Sequence, residues 1–183
     1  LLEDCDRALE WITENAELLN INPEKLSVGG DSAGGNLSAS LCIKRKEEGG
    51  LLPERQLLIY PGVDHDDDYP SMQDFAEGDF LTEDLMTWFT KNYIRVNEDL
   101  DDFYVSPIRY QNPKGLPPAV VITAGFDPLR DMGIAYAKHL RDSGVEVIER
   151  EYPNMIHGFA NFTIDPLAYN AVVEFADDLK NIV

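Results

Sequence analysis

The chain has 183 residues, with 15 Lys and Arg against 34 Asp and Glu and a formal net charge of -19. Hydrophobic residues make up 44% and charged residues 27%, a globular composition long enough for one domain with a sizeable core. So few basic residues argue against nucleic-acid or anionic-membrane binding, and no apolar run approaches the roughly 18 residues of a membrane span.

Leu1, Leu2, Cys5, Ala8, Leu9, Ile12 and Ala16 fall on one face of an opening helix. A chain that begins with Leu inside such a pattern, without a cap, reads as a piece of a longer protein. No basic segment followed by an apolar one opens it, which leaves the cytoplasm as the default compartment. Cys5 and Cys42 lie among apolar, helix-periodic neighbours and are expected as buried free thiols, not a bridge. Leu26-Ser27-Val28-Gly29-Gly30 predicts a short strand, followed by a small-residue turn and a helix through about Lys46. Gln56–Tyr60 is the next extended run, closed by Pro61-Gly62. An acidic loop, Asp64–Asp68, leads to a helix over 82–94, with Thr82 as N-cap and Leu85, Met86, Phe89 and Tyr93 on a stripe. A Pro- and Gly-rich connector, Asn112–Pro118, precedes the clearest strand, Ala119–Thr123. A helix from about Asp131 to Ser143 stops at Gly144, then come a strand at Val145–Glu149 and a loop around His157. Asp165-Pro166 starts a last helix that runs to near Val183.

Strands alternating with helices imply an α/β fold with a mostly parallel sheet covered on both faces. Such sheets present their ligands at the carboxyl ends of the strands, so function belongs just after Gly30, Tyr60, Thr123 and Tyr152.

The first of these sites reads Gly30-Asp31-Ser32-Ala33-Gly34, a G-x-S-x-G sequence between a strand and a helix. A serine at the tip of such a turn is held strained and exposed, and the residues two before and two after must be small to avoid collision. The following helix aims its N-terminus at the serine, and the Ala33 N–H would stabilise an oxyanion. A Gly-rich turn without catalysis and a phosphate loop are the alternatives, but neither G-x-G-x-x-G nor a closing Gly-Lys-Ser/Thr is present.

A serine nucleophile needs a base, and the chain has three histidines. His65 sits in the acidic loop, whose consecutive Asp residues have no ligand spacing, so a solvated loop is favoured over a metal site. His139 falls in mid-helix beside Lys138 and reads as a surface residue. His157 follows a strand and a Tyr-Pro-Asn turn, placing it at a strand's carboxyl end. Asp127 follows the strand that begins at Ala119, and Asp131, at the next helix start, is explained by capping. The chain order Ser32, Asp127, His157 is the order this type of sheet uses for a triad.

Gly29–Asn36, Tyr60-Pro61, Asp127-Pro128-Leu129-Arg130-Asp131 and Ile156-His157-Gly158-Phe159 together resemble the hormone-sensitive lipase group of α/β-hydrolase esterases. The segment Phe80–Pro107, with Trp88 in its aromatic pattern and Ser106-Pro107 at its end, is similar to the part of that family that contributes to the cap. The resemblance implies an α/β-hydrolase fold over residues 1–183, the C-terminal portion of one domain with a cap-like insertion at about 64–107. It also implies Ser32 as nucleophile, Asp127 as acid and His157 as base. The sequence departs from the family at the front, where no His-Gly-Gly occurs to supply the remaining oxyanion donors. By the family's plan the early strands, on the order of a hundred residues, are also missing. A strand before Ser32 would then lie at an unpaired edge.

The expected activity is hydrolysis of short- to medium-chain acyl esters through an acyl-enzyme, with no metal or organic cofactor. The expected partner is a small-molecule ester, and a homodimer is the candidate assembly. The aromatics of residues 80–104 would either line a substrate pocket or pack in the core. Two readings compete: a non-catalytic ligand-binding protein on the same fold, and an amidase or acyltransferase with the same triad.

Overall fold

The computed structural model describes residues 1–66, 68–78, 80–94 and 100–182. The chain runs α1 (Leu2–Glu14), α2 (Ala16–Leu19), β1 (Ser27–Asp31), α3 (Ala33–Glu48), β2 (Arg55–Ile59), α4 (Pro70–Asp74), α5 (Glu83–Tyr93), β3 (Ala119–Phe126), α6 (Arg130–Asp142), β4 (Val147–Ile156) and α7 (Pro166–Asn181). The strands form one four-stranded sheet in the order β1-β2-β3-β4, and every pair is parallel. Each strand therefore needs a crossover to the next, which puts the carboxyl ends of all of them at one edge.

Burial on both faces explains the near-continuous apolar run of β3. Ala119 and Val121 join Cys42 and Ile43 of α3 and Met132, Tyr136 and Leu140 of α6 in one core. Val120, Ile122 and Ala124 point the other way, into a core with Ala168, Ala171 and Phe175 of α7. This period of two is what places α3 and α6 on one face of the sheet and α7 on the other. Among the described residues β1 pairs with β2 alone, and its residues alternate between exposed and half-buried, as an edge strand's do. Among the described residues no helix is long and apolar enough to cross a membrane.

Several boundaries differ from expectation. The opening pattern breaks at Asn15 into α1 and α2, and Cys5 is only half-buried, whereas Cys42 is fully buried and its thiol is pushed up by that burial. β3 continues to Phe126, and the Tyr152-Pro153-Asn154 stretch, read as a turn, lies inside β4. The reason is a bulge: the pairing passes from Ala124 opposite Tyr152 to Phe126 opposite Ile156, so β4 carries extra residues there. Pro153 is tolerated because an irregular step needs no ladder donor. A Cβ on Gly125 would stand 2.6 Å from the carbonyl carbon of Pro153, so only glycine lets the strands approach.

α5 forms as expected, with the Thr82 hydroxyl accepting from the Leu85 amide at 3.3 Å. Its stripe is not core: Leu85, Trp88, Phe89 and Tyr93 are all exposed, between 37% and 59%. Met86 alone of that pattern packs against the core.

Candidate active site

The chain turns sharply where β1 meets α3. Ser32 has φ 54° and ψ -116°, a conformation L-residues rarely adopt, and such strain persists only where the surroundings enforce it. Here the Ser32 amide donates to the Ile59 carbonyl at 2.8 Å, and its carbonyl accepts from the amides of Asn36 at 3.2 Å and Gly62 at 3.4 Å. The buried Asn36 side chain donates to the carbonyls of Gly62 at 2.7 Å and Val105 at 2.8 Å, fixing the helix start to two loops. Gly30 is required, since a Cβ there would meet the backbone of Gly34 at 2.5 Å. Gly35 is likewise confined, by Pro61 at 2.8 Å. The expectation for Gly34 itself is corrected, because a Cβ on it would meet nothing within 4 Å. Ala33 is the first residue of α3, so its amide has no partner within the helix and stands beside Ser32.

Asp127 follows β3 and is completely buried. Its Oδ1 accepts from the Leu129 amide at 2.8 Å, and its Oδ2 lies 2.7 Å from Nδ1 of His157. Nε2 of the buried His157 is 2.9 Å from Oγ of Ser32. An ionised carboxylate only accepts, so Nδ1 carries the proton and Nε2 is left to accept from the serine hydroxyl. Ser32, His157 and Asp127 thus form one directed hydrogen-bond chain.

Tyr60 completes the surroundings; the sequence places it at a strand's carboxyl end but assigns its side chain no role. It is buried at φ 36°, with its ring 4.7 Å from the imidazole of His157 and 5.5 Å from the phenyl ring of Phe159. Its hydroxyl donates to Asp31 Oδ2 at 3.3 Å, and Asn161 donates to the same oxygen at 2.9 Å. Burial, reinforced by Asp31, pushes the Tyr60 phenol well above its ordinary value, so it stays a neutral donor.

The other candidates lie elsewhere and are corrected in detail. His65 is half-buried, with Nδ1 3.2 Å from Ser106 Oγ, rather than in a freely solvated loop. Its neighbour Asp64 accepts from the Tyr69 hydroxyl at 2.8 Å and pairs with Arg109 at 3.5 Å, while Asp67 lies outside the described residues. His139 is half-buried too, its Nε2 2.8 Å from the Tyr110 carbonyl. Asp131 does not cap α6, whose N-cap is Leu129; it accepts instead from the amide of Ser71 at 2.8 Å. Among the described residues no three His, Cys, Asp or Glu side chains gather as a metal site.

A family described as alpha/beta hydrolase fold matches residues 1–161. The chain is 42% identical over 167 residues to carboxylic ester hydrolase LipN of Mycobacterium tuberculosis, covering 87% of this chain and 44% of that protein. It is 33% identical over 177 residues to an ethyl acetate hydrolase of Pseudomonas putida, covering 96% and 54% respectively. A solved esterase structure from Rhizomucor miehei superposes with a TM-score of 0.93 at 39% identity, over 98% of this chain and 57% of that one. The chain thus spans about half the length of the curated relatives it matches.

Proposed function

Because the chain belongs to the α/β-hydrolase fold family, in its hormone-sensitive lipase-like branch, we propose that the protein hydrolyses carboxylic esters with Ser32 as nucleophile, His157 as general base and Asp127 as the acid that orients it. The observation that carries this reading is the directed chain from Asp127 through His157 to Ser32, at 2.7 and 2.9 Å, assembled from three separate strand ends.

Ser32 Oγ attacks the ester carbonyl carbon while its proton passes to Nε2 of His157. The carbonyl π electrons move to oxygen, and the resulting oxyanion lies toward the Ala33 amide and the positive end of α3. On collapse the acyl C–O bond breaks, and His157 returns its proton to the departing alkoxide, releasing an alcohol. Water then attacks the acyl-serine with His157 again as base, giving the carboxylic acid and free Ser32. Asp127 accepts from Nδ1 throughout and stabilises the imidazolium that forms. One amide is a partial oxyanion site, since each further donor is worth roughly 10²–10³ in rate; the chain itself has no His-Gly-Gly to provide them.

Small, uncharged esters suit the reading. A relative is named for ethyl acetate, and a net charge of -19 disfavours anionic substrates. The exposed aromatic face of α5 and the segment 64–107 around it are proposed as part of a cap over this site. The test is turnover of p-nitrophenyl esters of graded acyl length by the full-length protein. Acetate to hexanoate should be cleaved best, and Ser32→Ala should abolish turnover. Unchanged hydrolysis by Ser32→Ala overturns the assignment, and no hydrolysis by the wild type overturns the activity.

A further inference from the structure

The turn that carries Asp127 is gripped from a distant part of the chain. Ser71, in α4, is completely buried. Its hydroxyl donates to the Pro128 carbonyl at 2.7 Å and accepts from the Asp131 amide at 3.1 Å, while its own amide donates to Asp131 Oδ2 at 2.8 Å. The other carboxylate oxygen of Asp131 accepts from Nε of Arg130 at 2.8 Å, and that guanidinium donates onward to the Gly125 carbonyl at 3.0 Å. The cation also lies 5.4 Å over the ring of Phe75, just past α4, and that ring meets Phe126 edge-on at 5.8 Å. These contacts bracket Asp127 on both sides in sequence, and none of them involves Ser32 or His157.

Asp127 needs such support. Apart from His157, its carboxylate has one hydrogen-bond partner among the described residues, the Leu129 amide, and that amide's direction depends on the shape of the same turn. A buried carboxylate that must meet Nδ1 at 2.7 Å tolerates little drift. We infer that Ser71 and Asp131 are positioning residues that hold the Asp127 turn in its working shape from α4. This rests on the triad proposed above. Sequence reasoning assigns Asp131 only a capping role and Ser71 none, because the pair is 60 residues apart and meets through main-chain groups.

A double-mutant cycle in the full-length protein tests it, with the rate at which a fluorophosphonate labels Ser32 and the kcat and KM for p-nitrophenyl acetate as readouts. Asp131→Asn should lower the labelling rate and kcat by about 10- to 100-fold, with KM moving less than about twofold. In an Asp127→Asn background the same substitution should cost less than about twofold, because the group it positions is gone. An equal loss in both backgrounds, or a rise in KM that matches the loss in kcat, overturns the inference. Should Asp131→Asn fail to fold, Ser71→Ala must show the same dependence on Asp127, and its absence is equally fatal. A wild type that is labelled but cleaves no ester sinks the ester reading and leaves the cycle to be read from labelling. A wild type that is not labelled overturns the triad and this inference together.

Discussion

Gly30 and Gly34 flank Ser32 symmetrically in sequence but not in space, and Gly→Ala at each should give opposite results. A Cβ on Gly30 stands 2.5 Å from the carbonyl carbon of Gly34, 2.6 Å from its oxygen and 2.8 Å from its Cα. All three are backbone atoms at the start of α3, so no side chain can swing aside. To restore ordinary contact the first turn of α3 must retreat by roughly 1 Å, an overpacking cost of about 1–3 kcal/mol. In a domain of this size that lowers the melting temperature by about 2–4 °C per kcal/mol. Ser32 lies between the two clashing residues, so the retreat falls on Oγ and its 2.9 Å reach to His157. A displacement of that size should cost about 10²-fold in reactivity. Gly34→Ala meets nothing within 4 Å and sits in a helix, where alanine is worth up to about 1 kcal/mol over glycine. The assay is the fluorophosphonate labelling rate of Ser32 with a thermal melt on the same samples. Gly30→Ala labelled at the wild-type rate, or both variants impaired alike, would refute the steric reasoning.

Two further outcomes follow from packing and charge. Phe175→Ala removes the aromatic anchor of α7 from a core it shares with Val120 and Ile122, and should cost about 3–5 kcal/mol, read as a lowered denaturant midpoint; a loss under about 1 kcal/mol would mean that α7 does not seal that face. Burial alone would raise the Asp131 carboxyl, but Arg130 and the Ser71 donors more than offset it and hold it below its ordinary value. A carboxyl lowered by folding stabilises the fold above its unfolded pKa of about 3.9, and that contribution is lost as pH falls through the lower folded value. Asp131→Asn should therefore reduce the melting temperature at neutral pH, with the gap to wild type closing as pH falls through the lowered folded value. A gap that stays constant down the acid range contradicts it.

What the sequence made legible was whatever depends on short range. The strand-to-helix serine turn, the Thr82 cap and the apolar run of β3 are local patterns, and each stands where its pattern put it. The histidines could be ranked because His139 falls in mid-helix and His65 in an acidic loop ahead of any candidate acid, whereas His157 follows a later strand. Long-range polar pairing left no local mark. Neither His139 against the Tyr110 carbonyl nor Ser71 against Asp131 shows in any spacing, since a buried or half-buried polar side chain looks like a surface one until its partner is known. The aromatic stripe of α5 was ambiguous for a related reason. Periodicity identifies an apolar face but not whether anything covers it.

The misread Tyr152-Pro153-Asn154 segment explains how the site closes. In the order β1-β2-β3-β4, the first and last strands are three spacings apart, about 14 Å. Yet Ser32, after β1, and His157, after β4, come within 2.9 Å of each other. His157 must therefore be carried back over the ends of β3 and β2. The extra residues of the bulge lengthen β4 past the level of Ala124, and the close approach of Gly125 to Pro153 bends that extension toward β3. On its way the imidazole meets one group from each strand it crosses: the carboxylate of Asp127 beyond β3 and the ring of Tyr60 at the end of β2. The first fixes the proton on Nδ1 and the second packs against the imidazole at a 58° tilt. The imidazole is thus aimed by strand ends from both sides of its path, and Nε2 arrives at Ser32 with little freedom left. A turn at 152–154, as the proline suggested, would have ended β4 too early to make that crossing.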